Sequence, residues 1–244
     1  MLDAGMRLPV LKRLVPCAVL ALLAACGSAP PRPQQTVGLF TSLPLVWAET
    51  GDIRGQIATG AAPHAALTVM RQRGRVVPLD TLIGAKGLPL ARNALLVMAQ
   101  PRPLAPEENV ALDAWVRGGG RLLLFADPML TAHSAYALGD PRRPQDLVLL
   151  SPILRHWGLE LQFQEDQPPG ERETTVFGVS LPFDLAGRFA QAPASPCRLE
   201  ANRLAIECAI GKGRVVAIAD AAVFDGDDAG RLAALRALLD FASR

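Results

Sequence analysis

Four short runs, at residues 37–40, 94–98, 122–125 and 215–219, are apolar throughout instead of alternating with polar residues. A strand with one wet face alternates, so a strand that does not alternate has to be covered on both sides. In a chain of this size that condition points to a mostly parallel sheet between two helical layers. A fifth run, Arg75-Val76-Val77-Pro78-Leu79, contains a proline that cannot donate to a ladder, which places it toward a sheet edge. The intervening segments carry helical spacing. Pro106-Glu107-Glu108 opens a helix with proline and acids in its first turn, and Ala111, Leu112, Trp115 and Val116 form its inner face. Gly118-Gly119-Gly120 closes that helix and turns the chain into the next strand. A second helix spans 63–73 before Gly74, and a third spans 228–242 with Leu232, Leu235 and Leu239 on one face. Residues 160–208 are richer in extended patterns and predict an added antiparallel region. The fold class expected is α/β, a single domain over residues 36–244.

Half of the 244 residues are hydrophobic and a fifth are charged, so a substantial core is available, and coiled-coil, collagenous and globally disordered classes are excluded. The formal net charge is +2. Removal of Arg7, Lys12, Arg13 and Asp3 with a leader brings the two signs into balance, leaving no basic stripe for a nucleic-acid partner.

The N-terminus reads as an address. Residues 1–13 are short and basic, 14–23 are apolar and free of charge, and Leu23-Ala24-Ala25-Cys26 follows directly. This order resembles the lipobox of bacterial lipoproteins, which implies a signal peptide over 1–25 and acylation of Cys26. Each buried methylene contributes ~0.8 kcal/mol, so several acyl chains would make the lipid bilayer a near-permanent partner. A plain secretory leader or an uncleaved anchor is the alternative reading. Gly27 stands where an inner-membrane retention signal has Asp, so the periplasmic side of the outer membrane is favoured over the inner membrane. Residues 26–35 carry three prolines in a polar stretch and read as a tether extending ~3.1 Å per residue. Met1 and Met6 are both possible starts.

Cys17 falls in the leader and Cys26 is the lipid site, which leaves Cys197 and Cys208. Pairing their two strands across a turn at Asn202-Arg203 sets Cys197 against Cys208, Arg198 against Glu207 and Leu199 against Ile206. A cross-strand disulfide is expected, as an oxidising compartment permits; two free buried thiols are the alternative.

In an open parallel sheet, ligands sit beyond the carboxyl ends of the strands. Thr41 and Ser42 follow the first apolar run and Asp127 follows the third, with Trp47 and His133 nearby, and these five residues form the candidate ligand crevice. Asp127-Pro128 also reads as a turn in which the carboxylate accepts backbone N–H groups. No Gly-x-Ser-x-Gly elbow surrounds Ser42, so a Ser42, His133 and Asp127 constellation has little to recommend it. The three histidines, His64, His133 and His156, stand at no metal-ligand spacing, and no metal or cofactor is expected. His156 reads as a helix C-terminal residue. Gly211-Lys212-Gly213 reads as a hairpin turn and 225–228 as helix N-capping instead of a calcium loop.

Residues 95–101, 104–108, Trp115, 118–128 and 213–220 together resemble the extracytoplasmic domain of GldG-type proteins, auxiliary components of ABC transport systems. That resemblance implies a flavodoxin-like α/β sandwich of the class I glutamine amidotransferase kind. Enzymes of that fold carry a cysteine where this chain reads Phe125-Ala126-Asp127. Without a thiolate no acyl intermediate forms. The resemblance therefore implies a non-enzymatic lipoprotein serving an ABC permease and ATPase, or another envelope system. The competing expectations are a periplasmic hydrolase using Ser42 or Asp127 and a purely structural envelope lipoprotein.

Overall fold

The computed structural model describes residues 35–47, 49 and 63–244. The expected leader, the lipid site at Cys26 and the tether up to residue 34 lie outside the described residues. Each apolar run forms a strand: β1 Gln35–Thr41, β3 Leu95–Ala99, β4 Arg121–Phe125 and β11 Gly213–Ile218. The proline-bearing run gives β2, Gly74–Pro78, at one edge. With β9 Cys197–Leu199 and β10 Ala205–Ile210 they make one seven-stranded sheet, ordered β2-β1-β3-β4-β11-β10-β9. The first five in that order run parallel, β10 runs antiparallel to β11, and β9 runs antiparallel to β10. Every residue of β3 is buried, as are four of the five in β4, so the missing alternation reports cover on both faces.

The helices are α1 Ala65–Arg73, α2 Pro106–Arg117, α3 Ser151–His156 and α4 Ala229–Ala242. They pack in pairs, α1 with α4 and α2 with α3. Leu112, Trp115 and Val116 face inward from α2 as expected, while Ala111 is only half-buried. On α4 the buried stripe is Ala234, Leu235, Leu238, Leu239 and Ala242; Leu232 sits at its margin. Asp228 caps α4, its Oδ1 accepting the Arg231 N–H at 3.0 Å. Gly119, at φ 113°, makes the left-handed turn between α2 and β4. Gly213 admits no side chain, because a Cβ there would lie 1.9 Å from the Val116 carbonyl oxygen.

The expected antiparallel region is present as two further pairs. β5 Leu159–Phe163 runs against β8 Gly187–Gln191, and β6 Arg172–Val176 runs against β7 Val179–Phe183. Cys197 and Cys208 are disulfide-bonded in the anticipated register, with Arg198 opposite Glu207 at 2.7 Å and Leu199 opposite Ile206. Gly211, at φ 61°, turns β10 into β11, so the Gly-Lys-Gly segment is a hairpin. His156 ends α3, and its Nε2 lies 3.4 Å from Asp113 Oδ2 of α2, joining those two helices.

Glu108 departs from the expectation of a surface acid complementing the helix dipole. It is 2% exposed, takes Arg102 in a two-pronged pair at 2.8 Å, and also accepts from Thr81 Oγ1, Leu82 N and Ala105 N. The Arg102 guanidinium, followed by those backbone and hydroxyl donors, brings its carboxyl down to about 2. That carboxylate ties the loop after β2 to the start of α2.

Candidate functional site

Strands β4 and β11 are neighbours in parallel register, with Phe125 beside Ile218. Each continues through an alanine into an aspartate, Phe125-Ala126-Asp127 and Ile218-Ala219-Asp220. The register therefore carries two carboxyls to the same level at the carboxyl end of the sheet. Asp127 is 1% exposed and Asp220 is 2% exposed. The Asp127 carboxyl accepts from Met129 N at 2.8 Å and from Ala221 N. Asp220 accepts from Ala222 N at 2.6 Å and Asp184 N at 3.0 Å. Both aspartates thus bond the amide two residues ahead, so the turn reading of Asp127 holds.

Among the described residues, no cation pairs with the Asp127 or Asp220 carboxyl. Burial first, and the neighbouring acids second, make their charged forms costly. Asp127 is pushed up to about 7 by desolvation, against the pull of its backbone donors, with Asp225 and Asp184 adding repulsion. Asp220 is raised well above the usual carboxylate range by desolvation and then by Asp127. Desolvation and their mutual repulsion therefore favour the protonated form of these carboxyls. Asp225, just beyond the 3-10 turn Ala222–Phe224, is pushed up to about 6, chiefly by desolvation, while Arg231 opposes the rise.

A buried glutamine fixes this arrangement. Gln100 follows β3 with φ 43° and no exposure at all. Its Oε1 accepts from Asp127 N at 2.9 Å, and its Nε2 donates to the carbonyls of Asp127 (3.0 Å) and Gln145 (2.8 Å). The three contacts bind the ends of β3 and β4 to the long loop that follows β4.

Asp184 and Asp225 line an open cleft of about 1000 Å³. Its polar wall includes His64, His133, Asp184, Asp225, Asp227 and Arg236, and its apolar wall includes Leu43, Leu45, Val69 and Phe224. His64 is committed as the N-cap of α1. Its Nδ1 accepts from Ala66 N at 3.2 Å, and its ring bonds the Phe224 carbonyl. Burial pulls its imidazole below the ordinary value, which leaves it neutral. Among the described residues, no group of three or more His, Cys, Asp or Glu converges as metal ligands.

The five residues expected to share a crevice are not brought together. Thr41 Oγ1 donates to Ala99 O at 2.6 Å and accepts from Leu43 N at 2.9 Å, a turn role. Ser42 Oγ donates to Gln100 O and accepts from Gln145 N at 3.0 Å. A hydroxyl whose proton is held by a carbonyl has no base to activate it, so Ser42 is structural. Trp47 is 80% exposed and stands outside the cleft wall. Asp127 is buried and does not line the cleft, and of the five only His133 does. Asp184, Asp220, Asp225 and Gln100 are the site residues that sequence reasoning missed. The repeated strand-Ala-Asp pattern was the available signal for Asp220.

No protein-family model matches the chain, and neither does any curated protein. Among solved structures, an exo-beta-1,4-mannosidase from Opitutaceae bacterium strain TAV5 aligns at 14% identity and TM-score 0.45, covering 92% of this chain and 35% of its own. A beta-galactosidase from Rahnella sp. R3 aligns at 13% identity and TM-score 0.47, covering 86% of this chain and 31% of its own. A putative ThuA-like protein from Bacteroides uniformis aligns at 10% identity and TM-score 0.41, covering 90% and 94% respectively. The chain spans about a third of the length of the two glycosidases. Against these matches the expectation of a non-enzymatic auxiliary of an ABC-type transport system is corrected. Two of the three are glycosidases, and none is described as a transport component. The chemical ground for inertness also falls. A missing thiolate rules out one acyl-transfer route, but it leaves a site whose carboxyls hold protons near neutral pH.

Proposed function

We propose that the cleft is the active site of a hydrolase that works by carboxyl acid–base chemistry, with acetal links such as glycosidic bonds as its substrate class. The observation that carries this reading is the set of desolvated aspartates at the ends of β4 and β11, with Asp225 and Asp184 facing the cleft. Cleavage of an acetal needs a proton for the leaving oxygen and a carboxylate for the developing cation. It needs neither an activated serine nor a thiolate. Asp225 lines the cleft and keeps its proton to about 6, which suits the role of acid. Asp184 in the same wall is placed to act as the carboxylate. Asp220 acts as a positioning residue, because its buried carboxyl accepts the Asp184 N–H.

The strand order β2-β1-β3-β4-β11, all parallel, supports the finer assignment to a flavodoxin-like sandwich of the class I glutamine amidotransferase kind. The kinship with GldG-type extracytoplasmic domains is retained as a proposal about fold. Leu23-Ala24-Ala25-Cys26 supports a lipid-anchored protein facing the periplasm, held in the outer membrane by acylated Cys26.

The test is a panel of aryl glycosides set against aryl esters between pH 5 and 8. Turnover of at least one glycoside is expected. It should fall about 10²-fold or more in Asp225→Asn and be unchanged in Ser42→Ala. Absence of turnover across the glycosides, or full activity in Asp225→Asn, contradicts the assignment.

A further inference from the structure

Strands β2, β1, β3, β4 and β11 run parallel, so their amino ends share one edge of the sheet and their carboxyl ends the other. The near balance of charge along the chain divides unevenly between those edges. Asp184, Asp225 and Asp227 line the cleft at the carboxyl ends. The amino edge is basic. Arg73 stands before β2, Arg92 before β3, Arg117 and Arg121 on either side of the turn into β4, and Lys212 and Arg214 at the start of β11. Three carboxylates take up half of these cations: Asp240 pairs with Arg73, Asp113 with Arg117 at 2.8 Å, and Glu207 with Arg214 at 2.7 Å. Among the described residues, Arg92, Arg121 and Lys212 form no ion pair.

These three cations gather at one turn. The Arg92 guanidinium lies over Gly118, where an added Cβ would fall 1.1 Å from its Nη1. The Lys212 N–H donates to the Arg117 carbonyl at 2.9 Å, which brings Lys212 to the same turn, and Arg121 leaves that turn as the first residue of β4. Arg92 and Lys212 are exposed and Arg121 is half-buried. Like charges held close together repel, and an anionic surface relieves that repulsion. The chain also enters the body on this edge. Gln35, the first residue of β1, accepts from Arg73 Nε at 3.2 Å and donates to the Asn93 carbonyl at 3.5 Å. Nine residues along the chain separate it from Cys26, and between the two Arg32 is the only charged residue. In a polyproline conformation that span reaches ~28 Å.

We infer that the amino edge of the sheet, centred on Arg92 and Lys212, is a docking surface for the anionic headgroups of a phospholipid bilayer. The inference deepens the lipid-anchor reading and rests on it for the identity of the partner. An anchor at Cys26 joins the body through Gln35, so it holds this edge next to the bilayer. Headgroup phosphates then supply the counter-charge that the fold does not, with each exposed cation strengthening binding about fivefold. The cleft, at the opposite edge, is left open to the periplasm.

The test uses the leader-free chain, residues 26–244 with Cys26→Ser, which keeps every described strand and helix and carries no acyl group. Its co-sedimentation is measured with vesicles of phosphatidylcholine alone and with vesicles containing about one-third phosphatidylglycerol. Binding should be at least about 25-fold tighter on the anionic vesicles, and it should be lost at ~1 M salt, where the Debye length is ~3 Å. Arg92→Gln and Lys212→Gln should each weaken it about fivefold, and the double variant about 25-fold. Arg188→Gln removes an exposed charge next to Gly187, whose N–H donates to the Ala219 carbonyl just past the carboxyl end of β11, and it should leave binding unchanged. No binding, equal binding to the two kinds of vesicle, survival at high salt, or an equal loss in Arg188→Gln overturns the inference. So does displacement by ~10 mM inorganic phosphate, too dilute to screen the surface, which would mark a discrete anion site. None of these outcomes involves acylation. Failure of the anchor reading shows separately, as an unmodified mass for the protein recovered from cells.

Discussion

Replacing Gln100 with leucine is expected to lower the stability of the fold by about 3 kcal/mol, because the change strands polar groups that water cannot reach. The Asp127 N–H loses its acceptor, and the Gln145 carbonyl loses the amide that anchors the loop after β4. The Asp127 carbonyl keeps Val148 N at 3.2 Å, so the penalty falls chiefly on the other two groups. In a chain of this length that loss corresponds to a drop in Tm of roughly 6–12 °C. Gln100→Glu is expected to do worse above neutral pH. It removes both amide donors and adds a third carboxyl beside two that already resist ionisation. Thermal unfolding at pH 7 measures both changes. A shift smaller than about 2 °C for Gln100→Leu would mean that the loop is held by other contacts.

Asp127→Asn is expected to stabilise the protein at pH 8 and to leave it nearly unchanged at pH 4. The folded carboxyl holds its proton to about 7, whereas an unfolded aspartate loses it near its ordinary value of about 4. Between those two values the folded state binds the extra proton, so the stability that Asp127 contributes is full below about 4 and is lost as pH rises through 7. Asparagine keeps the Oδ1 acceptor for Met129 N and has no charge to desolvate. The gain at pH 8 should be on the order of 2–4 kcal/mol, which urea unfolding at the two pH values resolves. A variant less stable than the parent at pH 8 would show that the Asp127 carboxylate is compensated after all.

The central strands were legible because a sheet covered on both faces leaves a mark in the chain itself, the loss of alternation in 94–98 and 122–125. The Cys197–Cys208 pairing was legible for a related reason. A short hairpin fixes its register locally, and three chemically matched pairs agreed on it. The site was much less legible. Ser42 and Thr41 carry reactive hydroxyls by composition, but their partners are carbonyls contributed by residues some 58 positions away. Glu108 reads as a first-turn acid, yet the loop after β2 folds over it and makes it a buried anchor. Gln100 has no local signature, since its importance comes from two loops meeting around it. Asp225 was read together with Asp228 as helix capping; only Asp228 caps, and Asp225 is left facing the cleft. What decides each of these roles is desolvation, which depends on tertiary neighbours that spacing along the chain does not disclose.

The claim on which the functional account rests is that aspartates at the strand ends keep protons near neutral pH. Carbon-13 labelling of the aspartate carboxyls, followed by nuclear magnetic resonance from pH 3 to 9, reads this directly. One carboxyl should titrate with a midpoint of about 7 and another of about 6, assigned by their disappearance in Asp127→Asn and Asp225→Asn, while that of Asp220 is raised well above the usual carboxylate range. If every aspartate instead completes its titration below about 5, as solvated carboxyls do, the strand ends hold ordinary turn residues and the acid–base site does not exist.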